Sequence, residues 1–189
     1  IKTREARGYA FEAAEASVAL LVDRARVDYL PPFVVLEYRT SAHRERGRPA
    51  RSEATVKIAA LGEERIAAGE GCGPVAALDK ALREALLPLF PALGRVTLSD
   101  YRVRIVDGTD GTDATTRVLV ECRSEEDGDT DRWTTVGASP DIVEASVEAL
   151  ADGYEFGLVH ALRDTATPPD RAAPTDRAAA DHTAKEKLA

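Results

Sequence analysis

The chain has 189 residues, 44% hydrophobic and 31% charged, an ordinary composition for one domain with appendages. No apolar run approaches the ~20 residues a membrane span requires, and Ile1-Lys2-Thr3-Arg4-Glu5 opens neither a signal nor a transit peptide. A net charge of −8 argues against nucleic acid or an anionic membrane as a general partner.

Residues 9 to 26 carry apolar positions at helical spacing. Phe11, Ala14, Val18, Leu21, Val22 and Ala25 fall on one face, with Glu12, Glu15, Asp23 and Arg26 largely off it. Pro31-Pro32 ends this predicted helix, so residues 1–30 are expected to form a linker helix. The absence of any methionine, with Ile1 leading almost directly into that helix, suggests a piece of a longer protein.

A strand is predicted over Phe33 to Tyr38, a basic loop over His43 to Arg51, and a second strand where Thr55 to Ile58 alternate with period two. Gly62 marks a turn, and Arg65 to Ala68 form a short third strand. Val75, Leu78, Leu82, Ala85, Leu86 and Leu89 then share one face of a helix from Pro74 to about Phe90. Proline suits a first turn, where its missing N–H would be unpaired anyway.

The order then repeats. Tyr101, Val103 and Ile105 alternate with arginines, Gly108 to Thr112 is a turn, Val118 to Cys122 is a strand, and Trp133 and Thr135 open another after an acidic loop around Glu125 to Asp131. Pro140 begins a helix whose charges (Asp141, Glu144, Glu148, Asp152, Glu155) recur near the helical period. Gly71 and Gly137 lie 66 apart, as do Pro74 and Pro140 (137 − 71, 140 − 74). The reading is α+β: internally duplicated βββα units, repeat one about 31–93 and repeat two about 94–163, in a two-layer domain. One such unit covers a single sheet face, so two must pack together or against a second chain. Residues 164–189, rich in Ala, Asp, Pro and Thr, are expected to be a disordered tail.

Residues able to carry chemistry are sparse. Cys72 and Cys122 lack metal spacing and fit a reducing cytoplasm. His43, His160 and His182 are scattered, no phosphate-cradling or nucleophile motif occurs, and most carboxylates fall on polar faces, where solvation explains them. Trp133 is expected in the core. Gly71-Cys72-Gly73-Pro74 stands out, because glycines at a helix start let backbone amides approach a carboxylate. A tight strand-to-helix turn would need the same glycines. Gly137-Ala138-Ser139-Pro140 is the second unit's version.

The run from Glu5 to Ser17 resembles the helix preceding the regulatory domain of citramalate synthases. Gly71-Cys72-Gly73-Pro74-Val75-Ala76-Ala77-Leu78, Asp100 to Ile105, Arg132 to Gly137 and Ile142 to Ser146 resemble the isopropylmalate synthase regulatory domain. The resemblance spans roughly residues 1 to 160. It implies a dimer-forming C-terminal domain, here 31–163, that binds a branched-chain amino acid. A separate metal-dependent barrel in the parent enzyme would condense acetyl-CoA with a 2-oxo acid. For the citramalate branch, closer at residues 5–17 and 97–105, the oxo acid is pyruvate and the effector isoleucine; for the other branch the effector is leucine. Loss of effector binding would leave a dimerisation scaffold. Carried onto this chain, the pocket would use Gly71, Gly73, Val75 and Ala76 at the first helix start and Leu98, Tyr101 and Ile105 from the fourth strand, with Ala114, Thr116 and Pro140 nearby. Cys72 and Ala76 differ from the Asn or acidic residues common there in the family, which leaves the backbone amides as the polar side. The resemblance transfers no catalytic residue, metal ligand or cofactor to this chain.

Overall fold

A computed structural model of the chain describes residues 2–5, 8–106, 111–126 and 129–161. The tail expected at 164–189, the predicted turn's residues 108–110 and the tip of the acidic loop lie outside them. In chain order the elements are α1 (Lys2–Glu5), α2 (Glu15–Arg24), β1 (Phe33–His43), β2 (Arg51–Ala60), β3 (Glu63–Gly71), α3 (Pro74–Leu86), β4 (Val96–Ile105), β5 (Thr116–Glu126), β6 (Asp129–Ser139) and α4 (Ile142–Phe156). One wide helical turn, Gly157–Ala161, extends α4.

The strands form two antiparallel sheets, β1-β2-β3 and β4-β5-β6. Alternation sets their faces: Ser52, Ala54, Val56, Ile58 and Ala60 of β2 are buried, while Arg51, Glu53 and Thr55 are exposed. α3 packs on β2 and β3, and α4 on β5 and β6. Ile58, Leu78 and Leu82 of the first unit share a continuous core with Val118, Val120 and Leu150 of the second. The edge strands also match, each with a bulge, between Val35 and Glu37 in β1 and between Leu98 and Asp100 in β4. The duplicated βββα architecture is therefore present.

Its register differs from the one the sequence suggested. The N-cap residues of α3 and α4 are Gly73 and Asp141, 68 positions apart (141 − 73). Gly69 and Gly137, also 68 apart (137 − 69), play the same part. A Cβ on Gly69 would lie 2.6 Å from Ala77 O, and one on Gly137 2.0 Å from Ala145 O. Each glycine lets a helix lie directly on its third strand. The 66-residue spacing pairs residues that are not equivalent. The central strands align at 64, Val56 with Val120, because the β5–β6 hairpin carries four more residues than β2–β3.

The N-terminal segment also departs from expectation. The helix predicted from residue 9 begins only at Glu15, and it buries Ala16, Ser17 and Leu20; Val22 is 62% exposed. Tertiary packing overrides the period: Tyr9 and Phe11 stack and, with Ala14, cover Leu119, Val136 and Ala138 on the outer face of the second sheet. Gly8, at φ +96°, turns the chain into this path. The first sheet has Thr55, Ala68 and Glu70 at the equivalent places, so the apolar trio that seats this segment is not repeated there. Ser17 Oγ accepts the Val136 N–H at 2.9 Å, satisfying an edge-strand donor.

Candidate functional site

The two helix starts are chemically unlike. Asp141 caps α4: its Oδ1 accepts the Val143 N–H at 2.8 Å, and its carbonyl accepts from Ala145. α3 has Gly73 at that place and no side-chain cap. Ala77 N–H closes onto Gly73 O at 3.0 Å, Pro74 brings no N–H, and among the described residues the Val75 and Ala76 amides find no partner outside the helix. Two donors at the positive end of a 13-residue helix are thus left without a partner among the described residues.

The glycines here serve different ends. A Cβ on Gly71 would come within 2.6 Å of Ala77 N, so Gly71 is required by helix-on-strand packing. Gly73 has an extended backbone, and a Cβ there would meet nothing within 4 Å. Cys72 between them is exposed.

The other expected pocket residues fall into two groups. Leu98 and Tyr101 on β4, with Val75 on α3, pack half-buried against the shared core, and the Tyr101 and Ser146 hydroxyls meet at 2.8 Å. Ile105, 65% exposed, pairs with buried Thr116, which pairs with Ser139 beside exposed Pro140. Ala114 is buried just ahead of Thr116.

A cleft of about 1070 Å³ opens elsewhere, between β1 and α4. Its lining includes Phe33 to Tyr38 of β1 and Glu144, Val147, Glu148, Ala151, Asp152 and Glu155 of α4, together with Arg4, Tyr9 and Arg24 of the N-terminal segment. Pro140 alone of the ten expected residues lines it. Of the α4 carboxylates expected on a solvated face, Asp152 and Glu155 are instead each only 4% exposed. Arg24 binds both, with Nη2 at 2.6 Å from Asp152 Oδ1 and from Glu155 Oε2. Burial opposes the Arg24 charge, but Glu155 and Asp152 outweigh it and hold the guanidinium above its ordinary range. Burial pushes the Asp152 carboxyl up to about 6, with Arg24 pulling the other way and Glu148 and Glu155 adding repulsion. One cation divided between two buried carboxylates leaves Asp152 underpaid. The one available signal was Arg24 itself, a cation near the C-terminal end of an otherwise acidic and apolar helix.

Trp133 lies in the core, donating Nε1–H to Gly153 O at 2.8 Å. Burial pushes the Cys122 thiol up to about 12, the opposite of an activated nucleophile. Among the described residues no group of His, Cys, Asp or Glu is placed to hold a metal ion. No helix among them is long and apolar enough to cross a membrane.

The family model of the LeuA allosteric (dimerisation) domain matches residues 12–158. Similar proteins include an (R)-citramalate synthase of Synechocystis sp., 46% identical over 164 residues, or 84% of this chain and 29% of that protein. One from Streptomyces coelicolor is 44% identical over 163 residues, 85% of this chain and 30% of that protein. A probable 2-isopropylmalate synthase of Methanopyrus kandleri is 43% identical over 100 residues, 53% of this chain and 18% of that protein. The chain spans less than a third of the length of these relatives.

Proposed function

The chain belongs to the LeuA allosteric (dimerisation) domain family, and from that premise we propose that it is the effector-sensing, dimer-forming part of a cytoplasmic citramalate synthase. In this reading it binds isoleucine and performs no chemistry. The observation that carries the reading is the uncapped start of α3. In the second unit a carboxylate, Asp141, occupies the helix start; in the first, Gly73 leaves the equivalent place vacant. A free amino acid brings the missing carboxylate to the Val75 and Ala76 amides. Its side chain would lie against Leu98 and Ile105 from β4, contributed by the same or a second subunit. Acetyl-CoA, pyruvate and a divalent metal would be handled by a region outside this chain. Feedback of this kind needs only about 1–3 kcal/mol of coupling between effector and catalytic states. Similarity to the Methanopyrus kandleri protein favours leucine as the second reading.

Calorimetry on the chain separates these. Isoleucine is expected to bind saturably and to raise Tm, since a ligand at one hundred times its Kd adds about 2.7 kcal/mol. Gly73→Asp, which installs the cap of the second unit, is expected to raise Tm without ligand and to weaken isoleucine binding at least tenfold. The absence of both heat and a Tm shift with isoleucine and with leucine defeats the sensing role and leaves the dimerisation scaffold.

A further inference from the structure

The N-terminal segment is fastened to the second unit at three levels. Arg4 and the Tyr9 hydroxyl both donate to Glu148. Ser17 takes the Val136 amide. Arg24 reaches the last turns of α4, adding an Nε bond to Glu155 Oε1 at 3.1 Å to its two contacts through Nη2. Around this clamp Tyr29 donates to Glu155 Oε1 at 2.6 Å, and Asp23 meets His160 at 2.6 Å.

Apolar packing anchors α2 as far as Leu20 and not beyond it. It buries Ala16, Ser17 and Leu20 and half-buries Val18, Ala19 and Leu21, while Val22 and, beyond the helix, Ala25, Val27 and Leu30 are exposed. The last turn of α2, beyond Leu20, is held by polar contacts: Arg24 with Asp152 and Glu155, and Asp23 with His160. A guanidinium fork into two buried carboxylates tolerates little change in geometry, so a shift of α4 carries α2 with it.

A contiguous set of contacts joins this clamp to α3. Tyr154, buried between Asp152 and Glu155 in sequence, donates its hydroxyl to Asp79 of α3. Arg83 of α3 lies over the Tyr154 ring at 5.8 Å and donates to its oxygen at 3.4 Å. The helix that starts at Gly73 thus holds α4 at the residue between the two carboxylates that hold Arg24.

We propose that the Arg24 clamp on Asp152 and Glu155 is the joint through which effector occupancy at the start of α3 sets the position of α2 and of the chain entering it. The proposal rests on the sensing role above, and Arg24 acts in it as a positioning residue.

Hydrogen exchange on the chain, with calorimetry alongside, tests it. Arg24→Met is compared with wild type, with Arg26→Met as an exposed control, and with Asp152→Asn/Glu155→Gln, which removes the opposing charges should the first variant fold poorly. Without ligand, both clamp variants are expected to raise exchange of residues 15–24 at least tenfold, leaving strand amides within about twofold. Isoleucine is expected to change exchange of that segment in wild type and in Arg26→Met but not in the clamp variants, whose isoleucine Kd stays within about threefold. Wild-type protection of α2 in the clamp variants, or the same response to isoleucine, overturns the joint. Isoleucine binding that leaves α2 exchange unchanged in wild type overturns the joint alone. No isoleucine binding to wild type overturns the sensing role and the coupling with it.

Discussion

Asp152 shows how a single buried side chain makes a quantitative demand. Its carboxyl titrates at about 6 in the folded chain against 3.8 as a free group, so between those values the folded state binds a proton that the unfolded state has released. The contribution of this group is therefore full below about pH 4 and is lost as pH rises through 6. Two pKa units correspond to about 3 kcal/mol. Asp152→Asn, always neutral, is expected to gain stability relative to wild type across that window by up to about 2–3 kcal/mol, read from urea midpoints at pH 4 and pH 7. A relative loss instead would mean that Arg24 outweighs burial. Such a clamp fixes geometry more than it adds stability, as buried ion pairs often do. Gly137 makes a steric demand. Its Cβ position, 2.0 Å from Ala145 O, cannot be filled unless α4 lifts off β6. Gly137→Ala is expected to lower stability by about 3 kcal/mol or more, in the range of overpacked cores. Gly73→Ala, where a Cβ meets nothing, should cost under about 1 kcal/mol by chemical denaturation.

At the scale of elements, the two helices differ in how much the sequence reveals. α3 was legible because Leu78, Leu82, Ala85 and Leu86 repeat at the helical period and all face the core. α4 was legible as a helix but not in its faces, since a buried carboxylate and a solvated one have the same period. Only the partner distinguishes them, and Arg24 lies 128 positions from Asp152. The repeat register was hidden for a related reason: four extra residues in the β5–β6 hairpin shift the true equivalence to 68, and a chance pair of glycines and prolines at 66 stood in for it. At the candidate site, the helix start of α3 was visible through Gly73-Pro74. What set it apart from α4 was the Asp141 cap, which a proline-based alignment concealed by placing Pro140 first. Asp141→Ala removes the acceptor from Val143 N–H and is expected to lower stability by about 1 kcal/mol. The loss should appear as faster exchange in the first turn of α4, with α3 unaffected. Equal loosening of both helices would show that the cap supports the whole fold instead of its own helix.

The whole molecule is a near-symmetric pair made asymmetric by one segment. The two sheets share a core, and Tyr154 bonded to Asp79 ties α4 to α3 across it, so the units should unfold together. Only the second sheet, however, carries the N-terminal segment on its outer face, its edge and its helix. Deleting residues 1–30 would uncover Leu119, Val136 and the Val136 edge donor, and would take from Asp152 and Glu155 the cation they share. None of these losses falls on β1, β2, β3 or α3. The truncated chain is therefore expected to lose exchange protection in β4, β5, β6 and α4 while the first unit keeps more of its own, turning one thermal transition into two or one broadened one. Calorimetry gives the first readout and exchange the second. A single sharp transition at a lower Tm, with protection lost evenly, would mean that the shared core couples the units more tightly than the N-terminal segment separates them.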